Sequence, residues 1–335
     1  MAIKLGLYLA TQFTAEADAA QQFELIVAQT HAARDAGFHS LWTAHHFGTA
    51  PMQMLQPVPL LARLIPESGQ MMLGPNILVM PVLNPVLVAE EAATIDVMSG
   101  GRYILGVGLG YRDEEFEMAG IKKSSRVSRF TEGLDIVRQI WSQDMVTFEG
   151  QHYKLSNIGT SLKPLQKNGC PIWIAAVVDK AIERAALIGD VWLSTFYPTR
   201  DTLTRQMDLY RSVRKESGLA EATDYPVLRE CYVGADTETA LQECQASLQY
   251  KYAAYHSWGQ DKILSDEDRF DQPFDEFKEN RFIIGDVDHV RDELQRYRDE
   301  IGVDHFVMRM QWPGLAQDLV LRSIDRLAEA AARVR

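Results

Sequence analysis

A single (β/α)8 barrel spanning residues 1–335 is the fold the sequence predicts, on three observations. Short apolar runs recur along the chain, each followed by a longer segment with apolar residues at helical spacing. There are eight such pairs, and dividing the chain among them leaves about 42 residues per unit, a barrel-sized unit with room for two insertions. Repeated β–α units require parallel pairing with right-handed crossovers. A closed barrel and an open doubly wound sheet both satisfy that requirement, and eight successive units favour the barrel.

The elements follow in order. Residues 3–10 read as the first strand, and 17–36 as a helix with Phe23, Ile26 and Val27 at helical spacing, closed by Gly37. Residues 41–43 give a second strand and 55–65 a helix. Residues 77–80 are expected as the third strand, and Pro85 opens a helix that stops at Gly100-Gly101. Residues 103–107 form the fourth strand and 130–141 lie in its helix. Here an insertion, 144–169, carries a hairpin turning at Glu149-Gly150. The rhythm resumes with strands at 172–175, 191–193 and 227–233, and helices at 180–188, 202–217 and 237–255. A second insertion, the polar and acidic stretch 259–279, follows the seventh strand. A helix at 287–300, a strand at 304–310 and a helix at 315–334 close the chain.

Composition excludes several classes. The net charge is −12, and no basic stripe offers itself to nucleic acid. No run of eighteen apolar residues suggests a membrane span. The chain opens directly on a strand, unlike a signal peptide, which makes the cytoplasm the expected compartment. Cys170, Cys231 and Cys244 are odd in number and lack CxxC spacing, so neither a disulfide framework nor a structural zinc site is expected.

In a parallel barrel the chemistry sits at the C-terminal ends of the strands. That rule selects His45-His46-Phe47, Asn76, the segment Gly106-Val107-Gly108-Leu109-Gly110-Tyr111-Arg112, the loop Ala176-Val177-Val178-Asp179, and Ser194-Thr195-Phe196. Adjacent histidines on extended backbone point to opposite faces, so the pair is a poor chelate and no metal is expected. One histidine facing a pocket, suited to proton transfer or to hydrogen-bonding a developing anion, is the favoured reading. The glycine run fails GxGxxG, because Tyr111 stands where the third glycine belongs. Its glycines can let a planar ligand approach the barrel mouth, with an ordinary strand-to-loop turn as the equal alternative. Arg112, Arg126 and Arg129 cluster near the fourth helix and suit a phosphate. Tyr250, Tyr252, Tyr255 and Trp258 read as core or interface.

The stretches Leu41-Trp42-Thr43-Ala44-His45-His46-Phe47, Gly74-Pro75-Asn76-Ile77-Leu78-Val79-Met80-Pro81 and Ser99-Gly100-Gly101-Arg102 resemble the bacterial luciferase-like flavin monooxygenases. So do Glu114-Glu115-Phe116, Pro171-Ile172-Trp173-Ile174-Ala175 and Phe282-Ile283-Ile284-Gly285, in family order across nearly the whole chain. The resemblance implies a barrel that takes reduced FMN as a cosubstrate from a separate flavin reductase. It implies a monooxygenase that inserts one atom of O2 into a small organic substrate through a peroxyflavin. His45 carries over as the catalytic residue beside the flavin, with His46 as its support. Asn76-Ile77 matches a non-prolyl cis peptide at the isoalloxazine. Gly108, Tyr111 and the loop Ala176-Val177-Val178 match the flavin lining, and Arg129 matches an arginine that reaches the phosphate. A homodimer packed through the first half of the barrel is implied, and 259–279 matches a segment covering the pocket. The chain differs from the family pattern at Ala44, where an acid commonly stands, and at Val177-Val178, where a serine often serves the phosphate. A deazaflavin-dependent hydride-transfer enzyme and a non-catalytic flavin-binding protein are the alternative readings.

Overall fold

The computed structural model describes residues 3–257, 259, 261, 264 and 268–335. Its first half runs β1 (Lys4–Leu9), β2 (Gln12–Phe13), α1 (Ala19–Asp35), β3 (Ser40–Thr43), β4 (Gln53–Met54), α2 (Pro57–Leu64), β5 (Met72–Pro75), β6 (Leu78–Val79), α3 (Pro85–Ser99), β7 (Leu105–Gly108), α4 (Asp113–Met118) and α5 (Arg126–Ser142). The hairpin β8 (Val146–Glu149) and β9 (Lys154–Ile158) follows. The second half runs β10 (Ile172–Ala175), α6 (Asp179–Ile188), β11 (Val191–Leu193), α7 (Arg200–Glu216), β12 (Pro226–Val233), α8 (Thr237–Ser257), α9 (Phe274–Lys278), β13 (Ile283–Gly285), α10 (Val287–Arg296), β14 (His305–Arg309) and α11 (Gln317–Ala332).

Two parallel sheets carry the architecture, ordered β13-β12-β14-β1-β3-β5 and β11-β10-β7-β6. They adjoin at two seams. At one, the Leu73 N–H donates to Arg102 O and the Ile104 N–H to Leu73 O, each at 2.8 Å. At the other, the Leu228 N–H donates to Ser194 Oγ at 3.1 Å. Strand alternation splits the apolar residues into two cores. Tyr8, Trp42, Trp173, Leu193, Leu228 and Val307 form an inner cluster, whereas their neighbours Phe306 and Met308 pack in the outer core with the helices.

Local signals account for the helix limits. Asp18 caps α1 by accepting from the N–H groups of Ala20 and Gln21; Asn84 caps α3 in the same way, with Pro85 in its first turn and Gly100 left-handed at its end. The third strand departs from expectation. It is Met72–Pro75, pairing with β3 from Ser40↔Met72 to Thr43↔Pro75. The apolar run 77–80 contributes only β6 and then enters a 3-10 turn at Met80–Val82. Apolarity alone could not separate a strand from the crossing segment after it.

At the N-terminal ends of the strands, Ser40 Oγ lies 2.7 Å from His305 Nε2 and accepts from Trp42 Nε1 at 2.7 Å. His305 Nδ1 is 3.4 Å from Asp224. Ser40 and His305 are fully buried, and a Cβ on Gly6 would lie 2.4 Å from Ser40 Oγ, so this Ser–His–Asp line is a structural tie with no room for an acyl group. Burial pushes the Asp224 carboxyl up, but hydrogen bonds from His305 and Lys4 and their charges outweigh it and hold it at about 2. Its contribution is present above the unfolded pKa and lost as pH falls through the folded one. Asp224→Asn is expected to cost about 2 kcal/mol at neutral pH. That deficit should vanish between about pH 4 and pH 2, as melts of both proteins across that range would show.

Candidate active site

The loop after β3 carries His45 and His46, and the structure makes them unequal. His45 is buried, and its Nδ1 accepts the Val79 N–H at 3.1 Å. That bond puts the proton of a neutral ring on Nε2. Burial first, and then the neighbouring His46, drive the His45 pKa from 6.5 to about 4, against the opposing charge of Glu115. His45 is therefore a neutral N–H donor throughout the physiological range. His46 turns the other way and donates from Nδ1 to Glu115 Oε1 at 2.7 Å. Its carbonyl accepts from Gln56 Nε2 at 2.9 Å. Glu115 is fully buried at the start of α4, and the sequence reading gave it no role. The histidines diverge, and among the described residues no group of three or more His, Cys, Asp or Glu side chains can hold a metal.

The segment crossing from β5 to β6 meets this loop. Its Asn76-Ile77 bond is cis. The Asn76 N–H donates to Thr43 O at 2.7 Å, and Asn76 O accepts from the Tyr8 hydroxyl at 3.1 Å. Among the described residues, Asn76 Nδ2 is buried without a partner, as is Thr43 Oγ1.

Gly106 and Gly108 of β7, and Gly110 just beyond it, face the cis segment. A Cβ on Gly106 would lie 1.9 Å from Pro75 O, on Gly108 2.8 Å from Ile77 Cγ1, and on Gly110 2.5 Å from Val79 Cγ1. On the side where a Cβ would stand, the space they leave is filled by residues 75–79. Gly108 pairs with Val79, so the run lets the cis segment lie against the strand while its backbone stays in register.

Tyr111 packs edge-on to His46, with ring centroids 5.7 Å apart. Arg112 leaves the expected arginine cluster. Its guanidinium donates to Phe47 O and Gly48 O and lies 3.5 Å from Glu115, bracing the histidine loop. Arg129, on α5, donates from Nε to Pro81 O at 2.8 Å and stacks over Tyr153 at 4.8 Å. Its terminal nitrogens hold no carboxylate among the described residues, and the same is true of Arg126. A third arginine, Arg184 on α6, was not singled out in the sequence. Burial, and then the nearby charge of Arg126, lower its pKa.

On the far side of β10, Ala176 is buried and its carbonyl accepts from Trp192 Nε1, while Val177 O accepts from Gln206 Nε2. Val178 precedes α6 and gives its first turn no side-chain cap. Asp179, whose charge would repel an anion there, is held by a two-pronged pair with Arg205 at 2.9 and 3.0 Å. No contact ties residues 176–178 to Arg129 directly. α5 meets α6 where Arg138 donates to Ile188 O, and the charge of Arg126 acts on Arg184 of α6.

Phe270 and Phe277, from the expected covering stretch 259–279, pack on Tyr252, and Asp268 accepts from the Thr199 N–H at 2.8 Å. Residues 260, 262, 263 and 265–267 of that stretch lie outside the described residues, as does Trp258. Tyr252 is buried, whereas Tyr250 on the same helix is exposed.

Known proteins share this plan. The oxygenase component of the flavin-dependent trigonelline monooxygenase from Acinetobacter baylyi is 25% identical over 304 residues, 85% of this chain and 82% of that protein. An F420-dependent glucose-6-phosphate dehydrogenase from Amycolatopsis mediterranei is 27% identical over 310 residues, 86% of this chain and 88% of its own length. In fold, the oxygenating constituent of 3,6-diketocamphane monooxygenase from Pseudomonas putida, solved with FMN, superposes with a TM-score of 0.85 at 17% identity, over 100% of this chain and 99% of that one. The family model for luciferase-like monooxygenases matches residues 3–305. That span holds the histidine loop, the cis segment and the glycine strand that fits against it, and the chain belongs to the luciferase-like monooxygenase family, a family of oxidoreductases.

Proposed function

We propose that this protein is the oxygenase of a two-component system, using reduced FMN from a separate reductase to insert one atom of O2 into a small organic substrate. In this reading the two sheets close at their seams into one (β/α)8 barrel forming a single domain over 1–335. The flavin lies at the C-terminal strand ends, with the isoalloxazine against the cis Asn76-Ile77 bond, Gly108 and Tyr111. Two features fit such a group. Asn76 Nδ2 is a buried donor without a partner, suited to a ring carbonyl or nitrogen. The uncapped first turn of α6 beside Val177 and Val178, with Arg126, Arg129 and Arg184 free of carboxylates among the described residues, suits the phosphate. Backbone N–H groups there stand in for the serine that Val177 and Val178 do not supply.

The observation that carries the oxygenase reading is the orientation of His45, whose Nδ1 accepts the Val79 N–H and leaves Nε2–H as a donor. Oxidising an alcohol by hydride transfer needs a base that titrates near the working pH. A ring held neutral down to about pH 4 is a weak base and a ready donor. Bound and reduced, the flavin supplies the two electrons that leave one oxygen atom in the substrate and the other in water. His45 Nε2–H offers a hydrogen bond to the oxygen-bearing face, Val79 fixes the tautomer, and Glu115 through His46 fixes the loop. The deazaflavin reading draws on the F420-dependent relative and on the missing serine; it takes the same phosphate site.

Exposed Leu87, Val97 and Met98 on α3 support a homodimer through the first half of the chain. The three free, buried cysteines suit the cytoplasm, and no helix among the described residues is long and apolar enough to cross a membrane. The stretch 259–279 is the candidate cover of the pocket. Arg129→Ala is expected to weaken FMN roughly tenfold, the worth of a charged hydrogen bond, with riboflavin unaffected. Equal loss for both ligands in a fluorescence titration would remove Arg129 from the phosphate.

A further inference from the structure

The inner face carries a charged layer that the flavin reading does not use. Arg309, the last residue of β14, is in register with Glu230 on β12 and with Tyr8 on β1. Arg309 and Glu230 each lie two residues beyond a member of the inner apolar cluster, Val307 and Leu228, so alternation turns both to the inside. Lys251 reaches the layer from α8 and pairs with Glu230. Arg309, Lys251 and Glu230 are 8%, 6% and 0% exposed.

The bonding within this layer is lopsided. Glu230 Oε1 accepts from Lys251 and from the Tyr252 hydroxyl at 2.9 Å, and Oε2 accepts from Trp312 Nε1 at 2.6 Å. Little of that carboxylate is left for Arg309, which approaches Glu230 and the Tyr255 hydroxyl at 3.5 Å and also bonds the Tyr8 hydroxyl. Its Nε is buried with no partner among the described residues. A guanidinium has five N–H donors in a planar fork, and here the Nε–H is left over. Its faces are taken by aromatic rings, Phe196 at 3.8 Å and Tyr8 at 4.5 Å, which leaves its edge for a ligand. Two cationic side chains thus share one carboxylate away from water, an arrangement that is costly unless a further anion completes it. Burial, and then the charge of Arg309, pull the Lys251 ammonium below its ordinary range, as expected where negative charge is short. The layer also touches the proposed flavin site, since the Tyr8 hydroxyl donates to Asn76 O.

We propose that Arg309, with Lys251 beside it, recognises a carboxylate on the substrate, so that the enzyme acts on an organic acid whose apolar body rests on the inner aromatic cluster. This rests on the oxygenase reading only for where the reacting atom lies. It narrows the expected small organic substrate to an anionic one. The fork of Arg309 gives the two parallel hydrogen bonds that a planar carboxylate accepts, and Phe196 beside it offers a wall for a ring or chain.

The test is calorimetric titration of the full chain with benzoate and with benzamide, without and with FMN. Benzoate is expected to bind at least roughly tenfold more tightly, the discrimination that charge-assisted hydrogen bonds provide. Arg309→Gln should abolish the preference while leaving FMN binding intact, and Lys251→Met should reduce it several-fold if the first variant does not fold. Equal affinities, no binding of either probe, or an undiminished preference in a folded variant would overturn the proposal. A preference for benzoate in a chain that does not bind FMN would sustain this inference and remove the flavin reading instead.

Discussion

His45→Ala is expected to lower substrate turnover with reduced FMN by roughly two orders of magnitude, the scale on which a positioned proton donor contributes. FMN affinity should change little, because the proposed phosphate site lies on α5 and α6. The same variant carries a second signature, in stability. Unfolded histidine binds its proton near 6.5, and folded His45 only near 4. The unfolded chain therefore takes up more protons between those values, and the wild type loses up to about 3 kcal/mol as pH falls through that window. His45→Ala should flatten that slope. Unchanged turnover would remove His45 from the chemistry. A flat wild-type slope would mean that the ring is solvated, and a single set of melts and rate assays reads both.

Glu230→Ala is expected to be among the most destabilising single changes in the chain. It leaves Lys251 and Arg309 as buried cations without a counter-charge, and it orphans the Tyr252 hydroxyl and Trp312 Nε1. Breaking a buried pair from one side costs about 3–5 kcal/mol, more than a surface ion pair is worth by several-fold. Glu230→Gln keeps an acceptor oxygen and should cost less. Urea unfolding of the three proteins distinguishes them, and a loss below about 1 kcal/mol for Glu230→Ala would mean water reaches the layer.

The contrast between these two sites shows what the sequence made legible. The strand–helix rhythm depends on local periodicity, so β1, β3, β7 and β10 to β12 fall close to where apolar runs predict them. β5 does not, because Gly74 and Pro75 look like turn residues while the purely apolar run 77–80 looks like a strand. Pro75 is tolerated at the last position of β5, next to the cis bond. The close approach at Gly106, Gly108 and Gly110 was only partly legible for a related reason. A missing Cβ reveals a close approach without saying what approaches, and here it is residues 75–79. Similarly, Arg112 has the composition of a phosphate ligand, and only the tertiary fold takes it to the carbonyls of Phe47 and Gly48.

His45 and the cis Asn76-Ile77 bond were accessible through family resemblance, which carries site positions that periodicity cannot. Arg309 and Glu230 were accessible in principle. A charged residue ending an apolar strand, as in His305–Arg309, or interrupting one, as in Pro226–Val233, is a burial conflict that needs a reason. The partner that resolves part of it, Lys251, lies on a helix whose inward face the aromatic spacing alone did not reveal.

The central claim is that this pocket is built for FMN and oxygen transfer. Its most direct test is a parallel equilibrium titration of the protein with FMN and with F420, each oxidised and reduced, followed by oxygen consumption with the ligand that binds. The account predicts tighter binding of FMN by about tenfold or more, and oxygen uptake with reduced FMN that depends on His45. Tighter binding of F420, with substrate oxidised or reduced at an undiminished rate when oxygen is excluded, would contradict it.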